Sequence, residues 1–375
     1  MLNFSLFEIT RRAFRGGSIS LKGMVLIFAY YLQLISTLPL AFLQFLIYGQ
    51  RIRKTPVSKD PVFILGHYRC GTTLLQKLMT SDQRYGFLNY YDSLFPNTNL
   101  LFGNQMQPVF QGLINTFKIK NPFFRDSILQ LSEPDEEDDY LMNKASAYSA
   151  YWGLIFPRRW REWLNGSKQF NDPHYLEGWK REYLQMLQQV TFRNKGKQLV
   201  LKNPPNTERI RVLLQMFPQA KFIFIYRNPY HLYSSIRNMW TKAILSNYSV
   251  QGISDEELDE LVFDHFVYLT GQYEKDKHLI PDGNLIEISY EELKADAFGT
   301  VHKIYSRLDL PDFEETAGDL ILQIEAEKKY RNFQYQWSAG TFQKIEERWG
   351  EYIRLWKYKT PELISDSNSP YHSKS

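Results

Sequence analysis

The chain has 375 residues, 43% of them hydrophobic, with 45 lysines and arginines against 41 acids, a formal net charge of +4 and a single cysteine. That length and apolar content can bury a full α/β core with appendages. The weak basic excess suits an anionic ligand or a membrane surface and does not indicate a nucleic-acid binder. One cysteine, Cys70, excludes an intramolecular disulfide and a thiolate metal site, and favours a reducing compartment.

Residues 1–22 interleave Phe4, Leu6, Phe7, Ile9 and Phe14 with Arg11, Arg12, Arg15 and Lys22, a basic amphipathic pattern of the interfacial kind. Residues 23–50 then carry no charge. That run exceeds the roughly 20 residues that cross a bilayer. Pro39 predicts a kink, or a break into two short helices that dip in and return. Arg51, Arg53, Lys54 and Lys59 follow the run as Lys22 and its neighbours precede it, so the positive-inside rule assigns no orientation. A spanning helix, a re-entrant or monotopic anchor, and a buried core helix or hairpin are the readings, with membrane association favoured. Residues 55–60 are a polar linker.

Residues 62–65 predict a buried strand, residues 66–71 a glycine-bounded loop, and Thr72 onward a helix with apolar Leu74, Leu75, Leu78 and Met79. Strand, loop and helix in that order aim backbone N–H groups at a phosphate. Gly66-x4-Gly71 has the P-loop spacing, yet Thr72 stands where a nucleoside triphosphatase needs Lys to reach the β- and γ-phosphates. Arg69 is the strong cation inside the loop. Such a loop can cradle a phosphate without being equipped for ATP hydrolysis. His67 and Cys70 read as loop-packing residues, the latter not as a nucleophile.

Residues 86–102 are aromatic and turn-rich, with Asp92 as their one acid. Residues 103–197 predict a mostly helical cap. Its landmarks are an acidic run at 133–139, an aromatic and basic stretch at 148–163, and a helix over 175–192. Residues 198–202 predict a second strand, closed by Asn203-Pro-Pro, and residues 207–217 a helix. The near-continuous apolar run 221–226 predicts a third strand, ended by Arg227-Asn-Pro, with a helix over 231–240. A helix over 255–275, a strand over 284–289, a helix over 297–308 and a charged helical C-terminal region follow, with a frayed tail. Strand–helix alternation with short links predicts a parallel sheet layered between helices. Ligands of such sheets bind at the carboxyl ends of the strands, where Arg69, Lys202 and Arg227 fall. The expected architecture is therefore α/β: a three-layer parallel sheet with a P-loop-like nucleotide site, a helical cap at about 103–197 and an N-terminal membrane-associated segment. Expected boundaries are 1–60 for the anchor and linker, 61–358 for the globular domain and 359–375 for the tail.

Gly-His-Tyr-Arg-Cys-Gly-Thr-Thr-Leu-Leu at 66–75, together with Arg227 and Ser235 eight residues on, resembles the sulfotransferase superfamily that uses 3′-phosphoadenosine-5′-phosphosulfate (PAPS). The resemblance runs from Val62 to about Leu308 and more weakly to Tyr358. It implies that Arg69, Cys70, Gly71, Thr72, Thr73 and Leu74 hold the 5′-phosphosulfate and that Arg227 and Ser235 bind the 3′-phosphate. It further implies that Arg69 offsets charge on the transferring sulfonate, that Lys202 contacts the sulfonate or a phosphate, and that no metal takes part. Asn206 stands where related sequences often carry His, which leaves the base open. Related enzymes use a His or a Glu. Glu136, Glu137 and Asp138 resemble a Glu-Asp-Glu segment, and Glu137 is favoured over Asp92. Asn332 and Tyr335 either close over the nucleotide or pack a helix end.

The implied acceptor is a hydroxyl or amine on a small molecule, a lipid or a membrane-presented glycan, with no nucleic-acid partner. The lone cysteine and a cofactor made in the cytosol favour a cytosol-facing catalytic domain, the alternative being a signal-anchored domain in the Golgi lumen. Two other functions compete. A P-loop kinase or nucleotidase is opposed by the missing Lys at position 72. A non-catalytic membrane scaffold with a degenerate nucleotide fold would tolerate loss of Arg69 and Lys202.

Overall fold

The structure is a computed structural model that describes residues 10–57, 61–101, 103–121, 123, 127–328 and 339–360. Five strands form one all-parallel sheet: β1 (Val62–Leu65), β2 (Tyr85–Gly86), β3 (Gln198–Lys202), β4 (Lys221–Tyr226) and β5 (Leu285–Ser289), in the order β2-β3-β1-β4-β5. β1 is central and fully buried, with Ile64 beside Lys202 on one side and Ile223 on the other. The connection leaving β1 runs toward one edge of the sheet and those leaving β3 and β4 toward the other. This is the arrangement that opens a crevice at the carboxyl ends of the middle strands.

Alternate side chains of the sheet feed two cores, as the period of two requires. Phe63, Leu65, Leu201 and Phe222 pack on Trp179, Tyr183 and Leu187 of the helix Pro173–Arg193. Val62, Ile64, Val200 and Ile223 pack on Leu75 and Leu78 of the helix Thr72–Met79 and on Val301 and Ile304 of the helix Ala297–Leu308. Both faces are therefore covered, which is why the strands read as unbroken apolar runs. A third cluster joins Tyr68 and Tyr151 to the helices Pro229–Met239, Asp255–Asp276 and Ala339–Leu355, through Tyr233, Phe266 and Trp349. The helix Asp255–Asp276 starts on a complete capping box between Ser254 and Glu257.

Three local outcomes differ from expectation. Pro39 does not break the apolar segment into two short helices. Leu21–Lys54 is one continuous helix with Pro39 inside it, capped by Ser20. The helix Pro229–Met239 does not stop near Trp240 but continues as a π-helical stretch, Trp240–Tyr248. The two-residue β2 is not among the predicted strands, being too short to show periodicity.

Candidate active site

The phosphate loop owes its shape to two glycines and one arginine. Gly66 (φ +145°) sits where a Cβ would lie 2.4 Å from the Ile225 carbonyl oxygen, and Gly71 (φ +95°) where one would lie 2.4 Å from the Tyr290 ring. Gly71 is also the cap of the helix Thr72–Met79, in the left-handed conformation. Between them Arg69 adopts φ +70°, a region that non-glycine residues enter at a cost of about 1–3 kcal/mol. Its surroundings hold it there. The Arg227 guanidinium donates from Nη1 to the Arg69 carbonyl (3.0 Å), and Arg69 donates from Nε to Ser235 Oγ (3.2 Å). The Gly66 N–H donates to Thr207 Oγ1 (2.8 Å), tying the loop to the turn after β3.

A cavity of about 800 Å³ opens over these strand ends. Arg69, Gly71, Thr72, Thr73 and Leu74 line it from the loop, Lys202 from the end of β3 and Arg227 from the end of β4. Arg227 stacks on the Tyr290 ring at 4.5 Å and keeps a buried Nε with no hydrogen-bond partner. A buried donor left without an acceptor is costly, and an anionic oxygen would satisfy it.

Seven of the residues singled out from sequence thus meet in one cavity: Arg69, Gly71, Thr72, Thr73, Leu74, Lys202 and Arg227. Cys70 and Ser235 lie just behind its wall, both buried. Burial pushes the Cys70 thiol up to about 12, with the Arg227 charge opposing, so it is protonated and inert at neutral pH. His67 is buried against His265 (3.2 Å between ring nitrogens), and burial lowers its pKa to about 4. It is an uncharged packing residue of the loop.

The two acids favoured as base are not brought to the cavity. Glu137 is fully buried, accepting from Asn206 Nδ2 (3.0 Å). Burial, reinforced by the Asp138 charge, raises its pKa to about 8. Asp92 is buried in an ion pair with Arg193 (2.7 Å) and accepts from Asn99 Nδ2 (2.8 Å). Burial raises its pKa to about 6 against the Arg193 charge. Asp138 is likewise sealed inside, between Arg209 (2.6 Å), Asn203 and the Ala150 N–H.

The carboxylate that does face the cavity is Glu136, one residue earlier. It forms an ion pair with Lys202 and accepts from the Tyr151 hydroxyl. Glu136 is the extended residue just before the helix Glu137–Asn143, and Glu137 is the first residue inside it. That change of backbone conformation turns one side chain to the cavity and the next into the core. Asp135 and Asp139 also line the cavity, with burial raising the pKa of each. The acidic run itself was the signal for Glu136. Nothing in the sequence singled out Tyr151.

The family model described as "Sulfotransferase family" matches residues 61–315. A curated relative, the omega-hydroxy-beta-dihydromenaquinone-9 sulfotransferase Stf3 of Mycobacterium tuberculosis, is 32% identical over 85% of this chain and 81% of its own length, and the Mycobacterium bovis protein of the same name matches equally. Among solved structures, sulfotransferase STF1 of Mycobacterium tuberculosis superposes with a TM-score of 0.67 (16% identity, 93% of this chain and 92% of that one). STF9 of Mycobacterium avium gives 0.65 (19% identity, 86% and 82%). The likeness to these two is one of fold. On the family match and the curated relatives together, this chain belongs to the sulfotransferase family.

Proposed function

We propose that this enzyme moves a sulfuryl group from PAPS to the hydroxyl of an apolar, membrane-derived acceptor. The observation that carries the reading is the meeting, in one cavity, of a glycine-edged loop that lacks the triphosphatase lysine with Arg69, Lys202 and Arg227 from three strand ends. The chain's residues fit a bisphosphorylated donor. Arg69, Lys202 and Arg227 face the cavity, and the unpartnered Nε of Arg227 suits a phosphate oxygen. When bound, PAPS supplies an activated sulfuryl group on a phosphate leaving group. Backbone N–H groups at the start of the helix Thr72–Met79, with the Thr72 and Thr73 hydroxyls, hold the 5′-phosphate. Arg227, with Ser235 behind it, holds the 3′-phosphate. Arg69 and Lys202 offset charge gathering on the sulfonate and bridging oxygens.

Glu136 takes the acceptor's proton. It is ion-paired with Lys202, so the base and a sulfonate-binding cation are adjacent, and Tyr151 fixes its orientation. Glu137 and Asp92 lack that access and keep the cap folded.

The acceptor side of the cavity has Phe123, Leu154, Met239 and Ile244 in its lining, which suits an apolar alcohol. The curated relatives are named for a hydroxylated menaquinone derivative, and a lipid alcohol of that class is the acceptor proposed here. Residues 1–60 act as the membrane-associated segment, 61–358 as the catalytic domain facing the cytosol, and 359–375 as a tail. Asn332 and Tyr335, expected near the nucleotide, lie outside the described residues. Transfer of labelled sulfate from PAPS to a panel of isoprenoid and sterol alcohols tests the reading. Tighter binding of ATP than of adenosine 3′,5′-bisphosphate, or transfer only to water-soluble acceptors, would overturn it.

A further inference from the structure

The helix Leu21–Lys54 is long and apolar enough to cross a membrane, yet it is fastened to the folded domain along its whole length. The Ser20 N–H donates to the Val250 carbonyl (3.0 Å) at one end, and Gln188 Nε2 donates to the Arg53 carbonyl (3.1 Å) at the other. Between them Tyr30 donates to the Met142 carbonyl (2.6 Å), and Gln44 Oε1 accepts from the Leu100 N–H (2.7 Å). Leu26, Ile27 and Leu34 pack with Trp152, Phe156 and Trp163. At 1.5 Å per residue the docked stretch is roughly 50 Å long, against a hydrocarbon core of about 30 Å. A helix held this way cannot cross the bilayer without carrying the polar surface of the domain into it.

The outward side is a different surface. Leu21, Phe28, Leu32, Ile35, Phe42 and Leu46 are exposed, Phe28 by 69% and Leu46 by 60%. The helix contains no acidic residue. Lys22 stands at its start, its exposed ammonium also donating to the Leu245 and Ser246 carbonyls, and Arg51, Arg53 and Lys54 stand at its end. We infer that this side is a monotopic docking surface for an anionic bilayer. The helix lies in the membrane plane, its apolar side sinks to the boundary between headgroups and acyl chains, and both cationic ends meet headgroups of the same leaflet. Cations at both ends are a contradiction for orienting a spanning helix and a requirement for this one. They also argue against a second copy of the chain as the occupant, because antiparallel pairing would set Lys22 against Arg51, Arg53 and Lys54 of the other copy. The inference deepens the membrane association proposed above and does not depend on the transfer chemistry.

The test uses the full chain, preformed sealed vesicles of phosphatidylcholine with or without phosphatidylglycerol, and two single variants, Lys22→Cys and Lys54→Cys, with buried Cys70 as background. Flotation with the anionic vesicles, weakened by salt, is expected. A membrane-impermeant maleimide added outside is expected to label both ends equally. Protection of one end until the vesicles are permeabilised would mean a spanning helix and would overturn the inference. A double variant, Phe28→Glu with Phe42→Glu, is expected to lower vesicle affinity at least tenfold while keeping its circular dichroism and its affinity for adenosine 3′,5′-bisphosphate. No flotation of the parent chain, or a parent dimer in sedimentation that the double variant dissociates, would assign the face to another occupant. Bisphosphate affinity is read separately, so failure of the donor assignment cannot be mistaken for failure of the docking.

Discussion

Replacing Glu136 by Gln separates the base from everything around it. The substitution keeps the size and one oxygen acceptor for the Tyr151 hydroxyl and the Lys202 ammonium, while removing the lone pair that takes the acceptor's proton. A positioned general base contributes about 10²- to 10⁴-fold, equivalent to about 3–5 kcal/mol of barrier. The expected result is a fall in kcat within that range, with the affinity for adenosine 3′,5′-bisphosphate unchanged, because the phosphate loop and Arg227 do not contact Glu136. The assay is single-turnover sulfuryl transfer with PAPS and acceptor both saturating. Glu137→Gln is the companion control: Glu137 is buried, raised in pKa and outside the cavity lining, so its variant should keep the rate. A full-rate Glu136→Gln enzyme, or a Glu137→Gln enzyme that loses the rate in its place, would refute the assignment of the base.

Three further outcomes are expected. Arg227→Ala removes charge-assisted bonds to the 3′-phosphate worth about 1.5–3 kcal/mol, so titration calorimetry should show bisphosphate affinity weakened about 10- to 150-fold with little change for a ligand lacking that phosphate. Gly71→Ala drives a Cβ into the Tyr290 ring and strains a left-handed residue; chemical denaturation should register a loss of about 1–3 kcal/mol, and a neutral result would mean that the loop is not built as described. The third concerns pH. Burial raises the pKa of Glu137 from the usual 4.5 to about 8, so between those values the native state holds the extra proton. Stability from this group is therefore fully present below about pH 4.5 and is lost as pH rises through 8. Glu137→Gln should flatten the decline across that window, and an unchanged slope would place the source elsewhere.

Much of the scaffold was legible because it rests on local patterns. The runs 198–202 and 221–226 are strands with those limits, the helix Ala297–Leu308 begins and ends as its periodicity indicates, and the glycine-bounded loop sits between β1 and its helix. The seven cavity residues were legible for the same reason, since each lies at the end of a recognisable strand or on that loop. The base was not. Glu136 and Glu137 are adjacent in a run of acids, and only the point where the helix starts decides which one leaves the core. Asp92 fails by a long-range cause, its pairing with Arg193 about a hundred positions later. The left-handed Arg69 is equally non-local. It is held by Arg227 and Ser235, which arrive from β4 and the helix after it. The apolar segment near the N-terminus was legible as a run long enough to cross a membrane, and it is one helix of that length. Its mode of docking depends on contacts to Val250, Met142, Leu100 and Gln188, which no reading of the segment alone contains.

Sulfuryl transfer from the donor is the central claim, and sulfur-labelled PAPS tests it most directly. Incubated with the full chain and an isoprenoid alcohol in detergent, it should give a labelled organic-soluble sulfate ester. Yield should follow enzyme concentration and collapse in Arg69→Ala and in Arg227→Ala. Label remaining in the donor while the chain turns over ATP, or ester formation undiminished in both variants, would contradict the account.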